Sequence, residues 1–237
     1  MKLNKITDHC WYTDSDQSTD RPSLGYILGS NGMAVAVDSG NSRKHYREYL
    51  SLLDEAGLPH PSFCILTHWH WDHTLGIKEV GCPVFACEKT QKHLLDLKNM
   101  SAEDLQAMYS ANEFLQAEYD DPACIEPDTA DITFDRSIIF DLGDITVNAI
   151  HINGPHSDDS VIVYIGEDGM IFAGDSSAGN FDLPNIAYDQ DLLKEYTDFI
   201  LGLEFNVFLH QHRAPLNCEE TEKFLALAKE RGYYTFD

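Results

Sequence analysis

Three imidazoles and a carboxylate fall within the stretch Thr67-His68-Trp69-His70-Trp71-Asp72-His73, directly after the apolar run Phe63-Cys64-Ile65-Leu66. Nitrogen and oxygen donors of this kind suit borderline divalent cations, and a loop at the mouth of a buried strand would hold them close together. The chemistry expected is metal binding. A catalytic metal site is assembled from strand ends far apart in sequence, so a loop this rich in donors needs partners further along the chain.

Three later stretches supply them. Gly154-Pro155-His156-Ser157-Asp158-Asp159-Ser160 precedes an apolar run at Val161 to Ile165, Phe172-Ala173-Gly174-Asp175-Ser176 ends another, and Phe208-Leu209-His210-Gln211-His212-Arg213-Ala214-Pro215 ends a third. Alone, His156 reads as a capping histidine and Asp175 as a turn residue. Their order and their common position at strand ends set them apart.

With these stretches in place, the H-x-H-x-D-H string and its downstream partners resemble the metallo-β-lactamase fold superfamily of metal-dependent hydrolases. Val37-Asp38-Ser39-Gly40 resembles the superfamily's opening motif, whose Asp sits beneath the metal site, and reads equally as a plain turn before a helix. The resemblance implies two divalent cations, zinc first and iron or manganese next. One would be held by His68, His70 and His156, the other by Asp72, His73 and His212, with Asp175 bridging both. His210 competes with His212 for the last place; the spacing to Pro215 and the following helix favours His212 and leaves His210 beside the ligands or against substrate.

The activity so implied is hydrolysis of a small ester-type substrate, a thioester, lactone, other carboxylic ester or phosphodiester. A hydroxide between cations roughly 3.5 to 4 Å apart would attack, with Asp72 and Asp175 as the catalytic carboxylates. Members that hydrolyse β-lactams carry Cys or Ser where Asp175 stands, so antibiotic hydrolysis is not expected. Two other readings share the ligand set: an iron-loaded redox enzyme acting on oxygen or sulfur compounds, and a metal-binding protein without turnover. Trp69, Trp71 and Tyr188 are candidates to line the substrate cleft, and residues 176–189 to cover it.

The rest of the chain supplies the scaffold for these donors. A strand is expected over Ile6 to Tyr12, a polar loop from Asp14 to Ser23, and a hairpin of Tyr26 to Gly29 with Met33 to Val37 around Asn31-Gly32. A helix from Arg43 to Ala56, capped by Asn41 or Ser42 and stopped by Gly57, leads into the strand before the histidines. Beyond them come a short helix at Leu75 to Val80, a strand at Pro83 to Ala86, and helices at Lys89 to Lys98 and Ala102 to Tyr119. Ser137 to Phe140, Ile145 to Ile150 and Val161 to Ile165 are rich in β-branched residues at strand length, and Gly166-Glu167-Asp168-Gly169 turns the last into a strand at Met170 to Ala173. Helices over Leu192 to Leu201 and Glu219 to Lys229 enclose a strand at Asn206 to Leu209. Strands, helices, strands, helices give two stacked sheets with helices outside, and the resemblance implies the α/β, four-layer αββα sandwich as one domain over 1–237.

Lys plus Arg number 16 against 40 Asp plus Glu, a net charge of −24, which makes nucleic acid a poor partner. A small molecule is the expected partner, with a homodimer left open. The six cysteines form no C-x-x-C pair, Met1 to Cys10 has no apolar core of a signal sequence, and no apolar run is long enough to cross a bilayer. The cytoplasm is the expected compartment.

Overall fold

The computed structural model describes residues 1–235. Strands β1 (Leu3–Lys5), β2 (Cys10–Thr13), β3 (Gly25–Leu28), β4 (Ala34–Val37), β5 (Phe63–Ile65), β6 (Val84–Cys87) and β7 (Ile132–Phe134) form one sheet in chain order. It is antiparallel through β4 and parallel from β4 to β7. Strands β8 (Ser137–Asp141), β9 (Thr146–His151), β10 (Val161–Ile165), β11 (Met170–Gly174) and β12 (Val207–His210) form the second, ordered β12-β11-β10-β9-β8. Helices α1 (Arg43–Ala56), α2 (Trp71–Thr74), α3 (Glu88–Lys98), α4 (Ala102–Ala111), α5 (Glu113–Glu118), α6 (Gln190–Leu201) and α7 (Cys218–Arg231) complete the chain order.

Strand β4 shows why the layers stack as they do. Side chains alternate across a sheet, and all four residues of Ala34–Val37 are buried. Val35 and Val37 enter the core between the sheets, meeting Ile65 of the same sheet and Val161, Val163 and Phe172 of the other. Ala34 and Ala36 face outward, where their small size admits Tyr46, Tyr49 and Leu53 of α1. Burying side chains such as Val, Leu, Ile or Phe contributes about 1.5–3 kcal/mol each. On the far side Leu193, Tyr196 and Ile200 of α6 and Leu225 of α7 cover Ile171, Ala173 and Phe208. Helix, sheet, sheet, helix is the order expected.

Three elements depart from expectation. The short helix expected at Leu75 to Val80 is replaced by α2, which already begins at Trp71, and a 3-10 turn at Ile77–Glu79. The first strand, expected over Ile6 to Tyr12, is a hairpin of β1 and β2. Ile6 and Thr7 N–H both turn back to the Cys10 carbonyl at 2.9 and 3.3 Å, and Asp168 holds the turn through the Thr7 hydroxyl and the His9 N–H. The helix expected to run from Ala102 to Tyr119 breaks at Asn112, whose backbone is extended (φ −125°, ψ 106°) and whose side chain caps α5 through Phe114 and Leu115 N–H. An Asn supplies the acceptor that the first turn of a helix lacks, so it opens a new helix more readily than it continues an old one. Ser42, not Asn41, caps α1, accepting from His45 N–H at 3.0 Å.

Candidate metal centre

The seven donors come from four strand ends and one short helix. Strand β5 ends at Ile65 and delivers His68 and His70; α2 begins at once, with His70 as its N-cap and Asp72 and His73 inside it. His156 stands in the loop before β10, Asp175 directly after β11 and His212 two residues beyond β12. Gly174 makes the approach of β11 feasible: its φ is +55°, and a Cβ there would lie 2.5 Å from Thr67 Oγ1.

Two groups result, each gathering its donor atoms within 4.8 Å of one another. In the first, His70 Nδ1 lies 3.1 Å from His68 Nε2 and 2.9 Å from His156 Nε2. In the second, Asp72 Oδ2 is 3.0 Å from His212 Nε2 and 3.2 Å from His73 Nε2, and Asp175 Oδ2 is 3.4 and 3.6 Å from the same two nitrogens. The groups adjoin, with the rings of His68 and His73 4.3 Å apart. Asp175 falls in the second group alone, and its Oδ1 is buried without a hydrogen-bond partner.

Hydrogen bonds behind the rings decide which nitrogen faces inward. His156 donates Nδ1–H to the Gly179 carbonyl at 3.0 Å, and His73 donates Nδ1–H to Asp38 Oδ2 at 2.8 Å. Thr67 gives its hydroxyl proton to Asp38 Oδ2 at 2.8 Å and accepts His68 Nδ1–H at 3.1 Å. Each of these three rings presents Nε2 to its group, as a bare lone pair in His68 and His156. In the first group lone pairs converge on one another and repel unless a cation lies between them, and in the second a carboxylate oxygen is left orphaned, so the donors are positioned to bind metal ions.

Electrostatics separate the groups. Burial, with His73 and His70 nearby, holds His68 far below the ordinary imidazole value, and burial beside His156 takes His70 down to about 3. Burial also lowers His156. These rings are neutral. In the second group burial is overridden: Asp72, Asp175 and Asp38 carry His73 well above its ordinary value, and Asp175 and Asp72 take His212 up to about 9. Burial likewise fails to raise Asp72, held down chiefly by His73, or Asp175, held down chiefly by His212.

A cleft of about 620 Å³ opens over the second group, with His70 at its edge. Its walls include Trp71, Phe114, Phe181 and Tyr234, with Gln17, Asp20 and Arg213. His210 lies in this wall but outside both groups: its Nδ1 accepts His212 N–H at 3.3 Å and its Nε2 meets the Tyr234 hydroxyl at 3.3 Å, so neither nitrogen has a lone pair to offer a cation.

Trp69 and Tyr188, expected to line the cleft, do not. The Trp69 ring stacks on His93 at 5.0 Å, and Tyr188 is buried with its hydroxyl donated to the Ser177 carbonyl at 3.0 Å. The segment 176–189 is not one cover: residues 176–179 are buried, and Phe181, 48% exposed, is the residue of the stretch that stands over the first group, 5.3 Å from the His156 ring. Gln17, Asp20 and Phe114 were not singled out by the sequence. Asp20 is one of many acids in a polar loop, whereas the Asn112 cap could have placed Phe114 at a helix start.

The family model described as Metallo-beta-lactamase superfamily matches residues 18–212. An atrochrysone carboxyl ACP thioesterase of Aspergillus fumigatus is 25% identical over 155 residues, 65% of this chain and 40% of that protein. The chain thus spans less than half the length of that relative. Among solved structures, a metallo-beta-lactamase from Pontibacter korlensis is similar with a TM-score of 0.64 at 19% identity, over 95% of this chain and 98% of the other. A stereoselective inverting sec-alkylsulfatase from Pseudomonas sp. is similar with a TM-score of 0.72 at 14% identity, over 97% of this chain and 41% of that one. Two sheets with their helices, donors at the strand ends and a family match over most of the sequence agree: the chain belongs to the metallo-beta-lactamase superfamily.

Proposed function

We propose that the protein is a metal-dependent hydrolase that cleaves the acyl bond of a small ester or thioester, with zinc in both donor groups. The observation that supports this most is the meeting of His68, His70, Asp72 and His73 from the stretch after β5 with His156, Asp175 and His212 from three other strand ends, beside a cleft. Bound there, divalent cations supply Lewis acidity and lower the pKa of a coordinated water to about 7. The chain's own residues do the rest. Asp175 Oδ1, buried without a hydrogen bond and 3.7 Å from His210 Nδ1, is the acceptor for the proton released by the attacking water. Trp71 shields the reacting carbonyl from bulk solvent, and Phe181 packs against the acyl chain.

The thioesterase relative supports an acyl rather than a phosphoryl substrate. So does the charge of −24, which disfavours phosphodiesters of nucleic acid. Among the described residues no helix is long and apolar enough to cross a membrane. Purified protein should carry zinc and hydrolyse aryl esters or acyl thioesters, and the double variant His68→Ala/Asp72→Ala should lose metal and activity together. Full ester hydrolysis by that variant would refute the reading, and iron with a visible absorption band would redirect it to redox chemistry.

A further inference from the structure

The two donor groups are backed differently. Behind the first stand neutral acceptors, the Thr67 hydroxyl for His68 and the Gly179 carbonyl for His156. Behind the second stand carboxylates: Asp38 Oδ2 at 2.8 Å from His73 Nδ1, and Asp20 Oδ1 at 3.6 Å from His212 Nδ1. The donors themselves differ in the same sense, three imidazoles in one group against two carboxylates and two imidazoles in the other. A carboxylate hydrogen-bonded behind an imidazole, as Asp38 is behind His73, raises its basicity as a ligand and orients the ring, and one at ion-pair distance, as Asp20 is from His212, acts on it through its charge.

Asp20 is held where it stands by a built loop. Asp16 and Arg21 pair through their backbones at 2.9 and 3.0 Å, Ser18 bonds to the Asp16 carboxylate, and Asn41 Nδ2 donates to the Thr19 carbonyl at 2.8 Å. Next to it the Arg21 guanidinium is fixed by Glu118 and Glu48. Asp20 itself has φ +52°, a left-handed conformation that a non-glycine residue keeps only where its surroundings impose it. The loop meets the β12 end through Ser23 N–H to the Gln211 carbonyl at 2.6 Å, one residue from His212.

We propose that Asp20 is a positioning residue for His212 and that, together with Asp38 behind His73, it makes the Asp72/His73/Asp175/His212 group the tighter of two cation sites, filled by the first equivalent of metal. This rests on the reading that both groups hold cations. No part of it depends on which ester is cleaved.

The experiment titrates Zn²⁺ into the full chain stripped with EDTA, in competition with a chromophoric chelator, and follows melting in EDTA in parallel. Two unequal steps are expected. Asp72→Ala should abolish the tighter step and His70→Ala the weaker. Asp20→Gly, which removes the carboxylate while suiting the left-handed backbone, should weaken the tighter step by about 10–100-fold. It should leave the weaker step alone and not lower the melting temperature in EDTA. Asp20→Asn, which keeps a neutral acceptor, should fall between.

The proposal is overturned if Asp20→Gly keeps the tighter step, or if His70→Ala rather than Asp72→Ala removes it. It is also overturned if Asp20→Gly weakens both steps alongside a fall in melting temperature, the signature of a structural role. A wild-type chain that takes up no zinc overturns the metal reading of both groups, a result distinct from either of these.

Discussion

Asp38 Oδ2 takes two protons at the same distance, from His73 Nδ1 and from the Thr67 hydroxyl, each at 2.8 Å. Since Thr67 in turn accepts His68 Nδ1–H, one buried carboxylate fixes the tautomer of a histidine in each donor group. Its backbone, with φ +65°, is stapled by Asp38 N–H to the Ile65 carbonyl and by Asp38 Oδ1 accepting from Thr67 N–H at 2.7 Å.

Asp38→Ala is therefore expected to weaken metal binding at both groups, each by about 10–100-fold. It leaves His73 Nδ1–H, the Thr67 hydroxyl and Thr67 N–H buried without their shared acceptor, so the metal-free protein should also lose about 3 kcal/mol. Elemental analysis after dialysis and urea unfolding in EDTA check the two halves. A variant that loses metal from one group alone would sink the shared role.

How far such relationships can be read from sequence depends on how local they are. The histidine string declares itself because its donors are neighbours, and Asp175 and His212 are legible because each closes an apolar run. Asp20 is not. It reaches His212 only because β3 and the β12 end meet across the molecule, Gln211 Nε2 donating to the Ser23 carbonyl at 2.5 Å over 188 positions of chain. Trp69 and Trp71 flank the same histidine, yet one stacks on His93 and the other enters the cleft, a division made by α2 beginning at Trp71. The layer order was legible from alternating strand and helix runs, while the breaks at Asn112 and at the β1–β2 turn each depend on the bonds of one side chain, Asn112 and Asp168.

Arg21 joins the loop carrying Asp20 to the helical segment carrying Phe114. Its guanidinium contacts Glu118 at 2.6 and 3.0 Å and Glu48 at 2.6 Å, and Glu118 also accepts from the Ser42 hydroxyl at 2.7 Å. The Glu118 side chain is only 1% exposed. Removing the cation alone strands that carboxylate, so Arg21→Ala should cost about 3–5 kcal/mol. The double change Arg21→Ala/Glu118→Ala should cost less than Arg21→Ala alone. Urea unfolding of both variants decides; a single-variant loss below about 1 kcal/mol would assign the pair to the solvated surface.

The aromatic walls of the cleft predict a preference for apolar acyl groups. Phe114 reaches the cleft from the start of α5 and Phe181 from above the first donor group. An apolar contact with such a ring is worth about 1.5–3 kcal/mol, or roughly 10–100-fold. Phe114→Ala and Phe181→Ala should accordingly lower kcat/KM for hexanoyl and benzoyl esters by about that factor and leave acetyl esters nearly unchanged. Equal losses on both ester classes would place these rings in the fold rather than in recognition.

At the edge of the molecule His9 bridges turns of the second sheet. Its Nδ1 lies 2.8 Å from Asp168 Oδ1 and its Nε2 3.1 Å from Asp144 Oδ2. The bond to Asp168, opposed by burial and aided by Asp144, raises the His9 pKa above its ordinary 6.5. A group raised on folding stabilises fully below its unfolded pKa and loses that contribution as pH climbs through the folded value. The stability of wild type over His9→Gln should thus be widest near pH 6 and narrow toward pH 8.5, with both proteins held in EDTA so that the donor groups contribute alike. The Asp168 and Asp144 pKa values are lowered, so the carboxylates act in the opposite sense, below their ordinary 3.8 and outside this window. Thermal melts of the pair at four pH values measure the gap, and a gap that stays constant from pH 6 to 8.5 would show that the His9 charge plays no part in holding the turns together.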